Sequence, residues 1–193
     1  LQNWTSLLSE LPKYNITYGL SQQYLCNIYH VRTKCLGASL DRGVDQKPFD
    51  MWIDSDMVFQ PEQFFKLIDH DKDVVSGMYK MSDNKNYATV ENMDEDFFEQ
   101  WAYYQFLQDN DIKKKNGKLF KADYTGMGWM LVKYGVIEKM KYPWFYPRKT
   151  IHKPGWEEFV WDDVEFCLRV KEAGFDVWVD PNIIPGHEKT IVM

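Results

Sequence analysis

The sequence predicts an α/β domain with a largely parallel or mixed sheet, and three observations lead there. Short apolar runs (Met51-Trp52-Ile53, Val74-Val75-Ser76-Gly77, Trp129 to Val132, Val177-Trp178-Val179) are spread along the chain. Between them lie stretches of helical periodicity, and such alternation is the pattern of helices packed on a sheet. The 193 residues suit one domain with a sizeable core, and 45% hydrophobic with 27% charged residues is ordinary for a globular chain.

Taken in order, Trp4, Leu7, Leu8 and Leu11 recur at helical spacing and Pro12 closes that helix. Asn15 to Leu20 is a short β-prone stretch. Leu25, Ile28, Val31, Cys35 and Leu36 fit one helical face, with Arg32 beside it. Asp41 to Pro48 reads as a turn-rich loop. The strand Met51-Trp52-Ile53 runs straight into Asp54-Ser55-Asp56, and Pro61 suits the first position of a helix that buries Phe64, Leu67 and Ile68. Residues 82–118 are polar, with an amphipathic helix around Phe97, Phe98, Trp101 and Tyr104 and a solvated loop at Lys113-Lys114-Lys115. After the flexible Gly126-Met127-Gly128 comes the strand from Trp129, then a short helix from Gly135 to Met140. A last helix starts near Asp162 and ends at the capping Gly174, before the strand Val177–Val179.

Composition excludes several function classes. A net charge of −6 argues against a nucleic-acid binder, which needs a basic face. Cys26, Cys35 and Cys167 are odd in number and lack CxxC spacing, so they predict neither a disulfide framework nor a zinc site. They favour a reducing compartment, and a cytoplasmic location is expected, although the sequons Asn3-Trp4-Thr5 and Asn15-Ile16-Thr17 leave the secretory lumen open. No apolar run approaches the roughly 20 residues that cross a bilayer. Aromatic residues make up 17% of the chain, enough for a thick aromatic core or for platforms that stack on sugars.

Three clusters carry chemistry. In Asp54-Ser55-Asp56 a strand ends on two carboxylates spaced by two, and in an extended chain both project to one side, where they can share a cation. The plainer reading is an Asx-type turn. In Trp161-Asp162-Asp163-Val164-Glu165 two acids open a helix, either as ordinary capping or as a general base that takes a proton from a hydroxyl. The helix N-terminus is expected to keep Asp163 ionised. His187, in Pro185-Gly186-His187-Glu188, follows the last strand and is a candidate ligand or a surface residue.

In this order the clusters resemble the GT-A type glycosyltransferases, close to family 2. Such chains join a DxD strand end, a Gly-rich segment before an apolar strand (Thr125 to Leu131), an acidic pair opening a helix (Asp162 to Arg169), a Gly-aromatic strand (Gly174 to Val179) and a late Gly-His (Gly186-His187). The match spans roughly residues 24–190. It implies a Rossmann-like, mainly parallel sheet flanked by helices, in a single catalytic domain over residues 1–193 that lacks its first nucleotide-binding strand. It further implies that Asp54, Asp56 and His187 hold a metal, Mn²⁺ or Mg²⁺. Arg32, Asp54 and Ser55 approach the nucleotide of a UDP- or GDP-sugar, and Asp163 is the catalytic carboxylate, supported by Asp162. The acid pair is Asp-Asp where Glu-Asp is commoner in the family.

The implied reaction transfers a sugar from a nucleoside diphosphate to a hydroxyl of a glycan or other acceptor. Inversion follows if Asp163 stands opposite the leaving group, and retention if it stands elsewhere. Gly126, Gly128, Trp129 and Trp144 are expected at the acceptor or sugar, with Phe145 and Trp156 as further platforms, and core packing is an equal reading of Trp129. Pro143 to Pro147 is expected to be exposed, because its prolines break regular structure. One or both of residues 82–118 and 144–158 are expected to order on binding, as lids do. Two rival readings are a sugar-phosphate nucleotidyltransferase, which needs a basic Gly-rich loop, and a noncatalytic carbohydrate-binding module, which needs no metal set.

Overall fold

The computed structural model describes residues 2–37, 48–153 and 156–188, with the side chains of Gln2 and of residues 151–156 left aside. The predicted loop at 41–47 and the side chain of Trp156 lie outside the described part.

Helix α1 (Gln2–Glu10) ends in a 3-10 turn (Leu11–Tyr14) that holds Pro12 in its first turn, as its sequence predicts. Residues 15–20 form no strand. Helix α2 (Ile28–Cys35) begins three residues after Leu25, because the Asn27 side chain accepts the His30 N–H at 3.1 Å and caps it there. Strand β1 (Phe49–Ile53), the two-residue β2 (Met57–Val58) and α3 (Pro61–Asp69) follow. Next come β3 (Val74–Ser76), β4 (Thr89–Val90), α4 (Glu95–Trp101) and α5 (Asp109–Lys114). Lys113 and Lys114 belong to the last turn of α5, where a C-terminal dipole favours cations, rather than to the predicted loop. Strands β5 (Phe120–Ala122), β6 (Tyr124–Thr125) and β7 (Trp129–Lys133) lead to α6 (Val136–Lys139). The hairpin β8 (Lys149–Lys153) and β9 (Trp156–Phe159), helix α7 (Asp162–Glu172), β10 (Val177–Val179) and β11 (Gly186–His187) complete the described chain.

The central sheet runs β1-β7-β3-β10-β5. The α/β class holds, but the sheet is not mainly parallel. Only β3 and β10 pair in parallel, while β1–β7, β3–β7 and β5–β10 are antiparallel. Strand β7 is buried at four of its five positions and inserts between β1 and β3, reversing both neighbours. A buried strand reads as an apolar run in either direction, so its orientation is invisible locally.

Alternation along the strands builds three layers. Trp52, Val74, Met130, Val132 and Val177 pack with Val164, Cys167 and Val170 of α7 on one face. Met51, Ile53, Val75, Trp129 and Leu131 pack with Phe64 and Leu67 of α3 and with Leu7 and Leu11 on the other. Asp54 continues the parity of Trp52 and so emerges on the side of α7.

Several aromatic expectations are overturned. Trp129 is wholly buried with its ring 4.5 Å from Phe59, so it offers no face to a sugar. Trp144 and Phe145 are buried as well, and Phe145 lies 5.7 Å from Trp52 and stacks 5.4 Å from Phe166. Prolines deny that segment regular hydrogen bonding, but they do not remove the gain from burying large rings, so an irregular stretch closes the core. Within residues 82–118 the expected helix is α4, and Tyr87, Ala88, Val90, Phe106 and Leu107 are buried beside it in the chain.

Candidate functional site

Backbone geometry assembles the site at the carboxyl end of β1. The Asp54 N–H donates to the Gly128 carbonyl at 3.0 Å, tying the strand end to the Gly-rich segment. The Met57 N–H then donates to the Asp54 carbonyl at 3.1 Å, which closes a turn over Asp54-Ser55-Asp56-Met57. The two carboxylates are therefore not on one extended segment. Asp and Ser favour such turns, and the turn sends each acid to a different partner and leaves Ser55 exposed at its tip.

Asp56 meets His187. Strand β11 pairs with β2, setting His187 opposite Met57, and the Glu188 N–H donates to the Asp56 carbonyl at 2.8 Å. The Cβ of a residue replacing Gly186 would lie 3.2 Å from Val58 Cβ, so glycine permits this close approach. His187 Nδ1 stands 3.1 Å from the Lys80 carbonyl and Nε2 stands 3.0 Å from Asp56 Oδ2. A carbonyl only accepts, so Nδ1 carries a proton. Nε2 then faces the Asp56 carboxyl, as a donor when it carries a proton and as a lone pair when it does not. A backbone carbonyl fixing Nδ1–H is the support that a metal-ligating histidine commonly has.

Asp54 meets Arg32. Arg32 comes from α2, is buried against the Trp52 ring at 5.6 Å, and donates through Nε to Asp162 Oδ2 at 2.6 Å. Its Nη1 lies 3.6 Å from Asp54 Oδ1. Burial raises the Asp54 carboxyl above its ordinary range, Asp56 and Asp162 add to the rise, and Arg32 and His187 oppose it. Arg32→Ala leaves these acids uncompensated. It is expected to lower stability by about 2–3 kcal/mol in urea unfolding, below the cost of breaking a wholly buried pair because the Asp54 side chain is 42% exposed.

Asp163, one residue into α7, accepts the Tyr124 hydroxyl at Oδ2 (3.0 Å) and the Val164 N–H at Oδ1 (2.8 Å). Its carboxyl is nevertheless pushed up to about 7, first by burial and then by Asp162, against the opposing pull of Tyr124 and Arg32. The expectation that the helix N-terminus keeps it ionised is therefore corrected. A terminal dipole contributes about 0.3–1 kcal/mol, less than desolvation among other acids.

The structure thus brings together Arg32, Asp54, Asp56, Asp162, Asp163 and His187 from segments far apart in sequence. Gly126 and Gly128 flank them, and a Cβ on Gly128 would lie 3.1 Å from Asp54 Oδ2. Trp129 and Trp144 are excluded by burial. Among the described residues no three His, Cys, Asp or Glu side chains are drawn into one metal-ligating group. Asp56 and His187 form a close pair and Asp54 is turned to Arg32. Tyr124, a single aromatic in a β-prone run, gave no signal in the sequence, and Trp161 is 56% exposed immediately before Asp162. An aromatic preceding an acidic pair was the available cue for Trp161.

No family model and no curated protein matches the chain. Among solved structures it is similar to the crystal structure of A197 from STIV, with a TM-score of 0.55 over 97% of this chain and 89% of that chain. At 15% identity this likeness shows a shared fold. Among the described residues no helix is long and apolar enough to cross a membrane.

Proposed function

We propose that this chain is a metal-dependent glycosyltransferase of the GT-A type, moving a sugar from a nucleoside-diphosphate sugar to a hydroxyl acceptor. One observation carries the reading: Asp54 and Asp162 share one buried arginine at the carboxyl end of β1, with Asp163 next to Asp162 and with Asp56 beside a His187 that faces a backbone carbonyl. Ligands of open α/β folds bind at that end of the strands.

Asp56, His187 and Asp54 are the residues that would hold the cation. Two carboxylates with one imidazole fit Mn²⁺, or Mg²⁺ less well. The bound ion supplies Lewis-acid stabilisation of the departing diphosphate. Arg32 adds a fixed positive charge at Asp54 and Asp162 and holds both acids in place. Asp163 in its ionised form takes the proton of the acceptor hydroxyl as that oxygen bonds to the anomeric carbon and the bond to the diphosphate oxygen breaks. A cytoplasmic setting and UDP- or GDP-sugar donors complete the proposal.

Burial of Trp129 and Trp144 weighs against a carbohydrate-binding module built on those rings. Trp161 takes their place as the aromatic face for the acceptor. Trp161→Ala is expected to raise the acceptor KM by about tenfold, the equivalent of one lost stacking contact, with donor hydrolysis unaffected. Initial rates with varied acceptor measure this.

The function itself is tested by screening UDP- and GDP-sugars for hydrolysis with Mn²⁺ and with chelator. Metal-dependent release of the nucleoside diphosphate from at least one donor is expected. A chain that neither binds nor hydrolyses any of them in Mn²⁺ is not a nucleotide-sugar transferase.

A further inference from the structure

Tyr79 lies three residues beyond β3 on a firmly held backbone. Flanking it, the Gly77 N–H donates to Trp129 O, the Met78 N–H to Ile183 O and the Ala88 N–H to Tyr79 O. The side chain is buried at 6% exposure, with its ring edge-on to His187 at 4.9 Å between centroids. Its hydroxyl reaches across to the Gly-rich segment and accepts the Gly128 N–H at 3.1 Å.

Two glycines make room for that hydroxyl. A Cβ on Gly126 would fall 2.2 Å from the Tyr79 oxygen. A Cβ on Gly128 would fall 3.0 Å from the same oxygen and 3.1 Å from Asp54 Oδ2, so phenol and carboxylate border one point in space. The glycines expected at the sugar on sequence grounds are therefore explained by a tyrosine that the sequence did not single out.

The phenol has an unused proton. Tyr124 donates to Asp163 and Tyr87 donates to Asp109, as buried hydroxyls normally find acceptors. The Tyr79 oxygen is occupied as an acceptor, and among the described residues its own proton meets no acceptor. A phenol carries its proton at neutral pH, so the hydroxyl stands as a donor beside the point that Asp54 Oδ2 also borders.

We propose that Tyr79 is a donor-sugar contact, giving its hydrogen bond to an oxygen of the sugar being transferred and selecting donors that carry that oxygen. This inference rests on the function proposed above. The transferred sugar has to lie between the diphosphate, held near Asp54 and Asp56, and the base Asp163, which is the space the hydroxyl borders. A site built to bond a hydroxyl rejects analogues lacking it, because its buried donor is left unpaired.

Tyr79→Phe keeps the ring and removes the donor. With the best nucleotide sugar found for the wild type, its kcat/KM is expected to fall about tenfold, the effect of one neutral hydrogen bond, while calorimetric affinity for the matching nucleoside diphosphate with Mn²⁺ stays at the wild-type level. Deoxy-sugar analogues of that donor give the sharper readout. The wild type is expected to lose about tenfold on one analogue, and Tyr79→Phe is expected to process that analogue and the parent equally. If Tyr79→Phe does not fold, the wild type still decides: full activity on every ring-deoxy analogue overturns the proposal. Normal kinetics in Tyr79→Phe, or a parallel loss of nucleoside-diphosphate affinity, also overturns it and leaves the transferase reading standing. A wild type that turns over no nucleotide sugar removes both.

Discussion

Asp163→Asn is expected to cut kcat by about 10²–10⁴-fold, the range for losing a general base, with Mn²⁺-dependent binding of the nucleoside diphosphate nearly unchanged. The asparagine keeps the size of the side chain and still accepts the Tyr124 hydroxyl, so the loss isolates basicity. The wild-type rate should depend on pH in a defined direction. Burial and Asp162 push the Asp163 carboxyl up to about 7, so the reactive ionised form is depleted below that pH. Activity rises through pH 7 and levels off above it. Tyr124→Phe removes a hydrogen bond that holds the carboxyl down, and the midpoint of the profile moves to higher pH.

Stability follows the opposite trend. An unfolded aspartate loses its proton near pH 4, whereas the folded one keeps it until about 7. Between those values the native state binds the extra proton, so stability falls as pH rises through the window. Asp163→Asn removes this cost, and the variant is expected to unfold at higher temperature than the wild type at pH 8, with the gap closing toward pH 4. A variant with normal kcat, or one that instead loses Mn²⁺ binding, rules out Asp163 as the base.

Asp56→Ala is expected to abolish Mn²⁺-dependent binding of the nucleoside diphosphate. The drop should exceed the 10–100-fold typical of losing a residue that merely supports a ligand. His187→Ala should match it, because the two side chains meet at 3.0 Å and would hold the same cation in the proposed reaction. Asp54→Ala should combine a smaller loss of metal affinity with a change in Arg32, its other partner at 3.6 Å. Calorimetry with UDP or GDP in Mn²⁺ and in chelator measures the series, and circular dichroism checks that the fold persists. Wild-type affinity in Asp56→Ala would remove the metal assignment.

Features governed by local chemistry were legible in the sequence. Pro61 started α3, Gly174 followed the end of α7, and the apolar runs at 51–53, 74–76, 129–132 and 177–179 all became strands of one sheet. The candidate residues Asp54, Asp56, Asp162, Asp163, His187 and Arg32 were named from motif and order, since strand ends and helix starts are where a chain displays polar side chains. Tertiary structure alone decided everything that depends on a partner distant in sequence. Strand direction followed from β7 entering between β1 and β3, because an apolar run carries no mark of what it will pair with. Trp129 and Trp144 went inward because the burial of a ring is settled by the space available around it. The DxD became a turn instead of an extended segment because Asp54 could bond Gly128 and Met57. The carboxyl of Asp163 was pushed up by desolvation and then by Asp162, both of which come from tertiary packing or a neighbouring charge rather than from the helix end. Tyr79 owes its position to two glycines almost fifty residues away, whose missing side chains leave the room its hydroxyl fills.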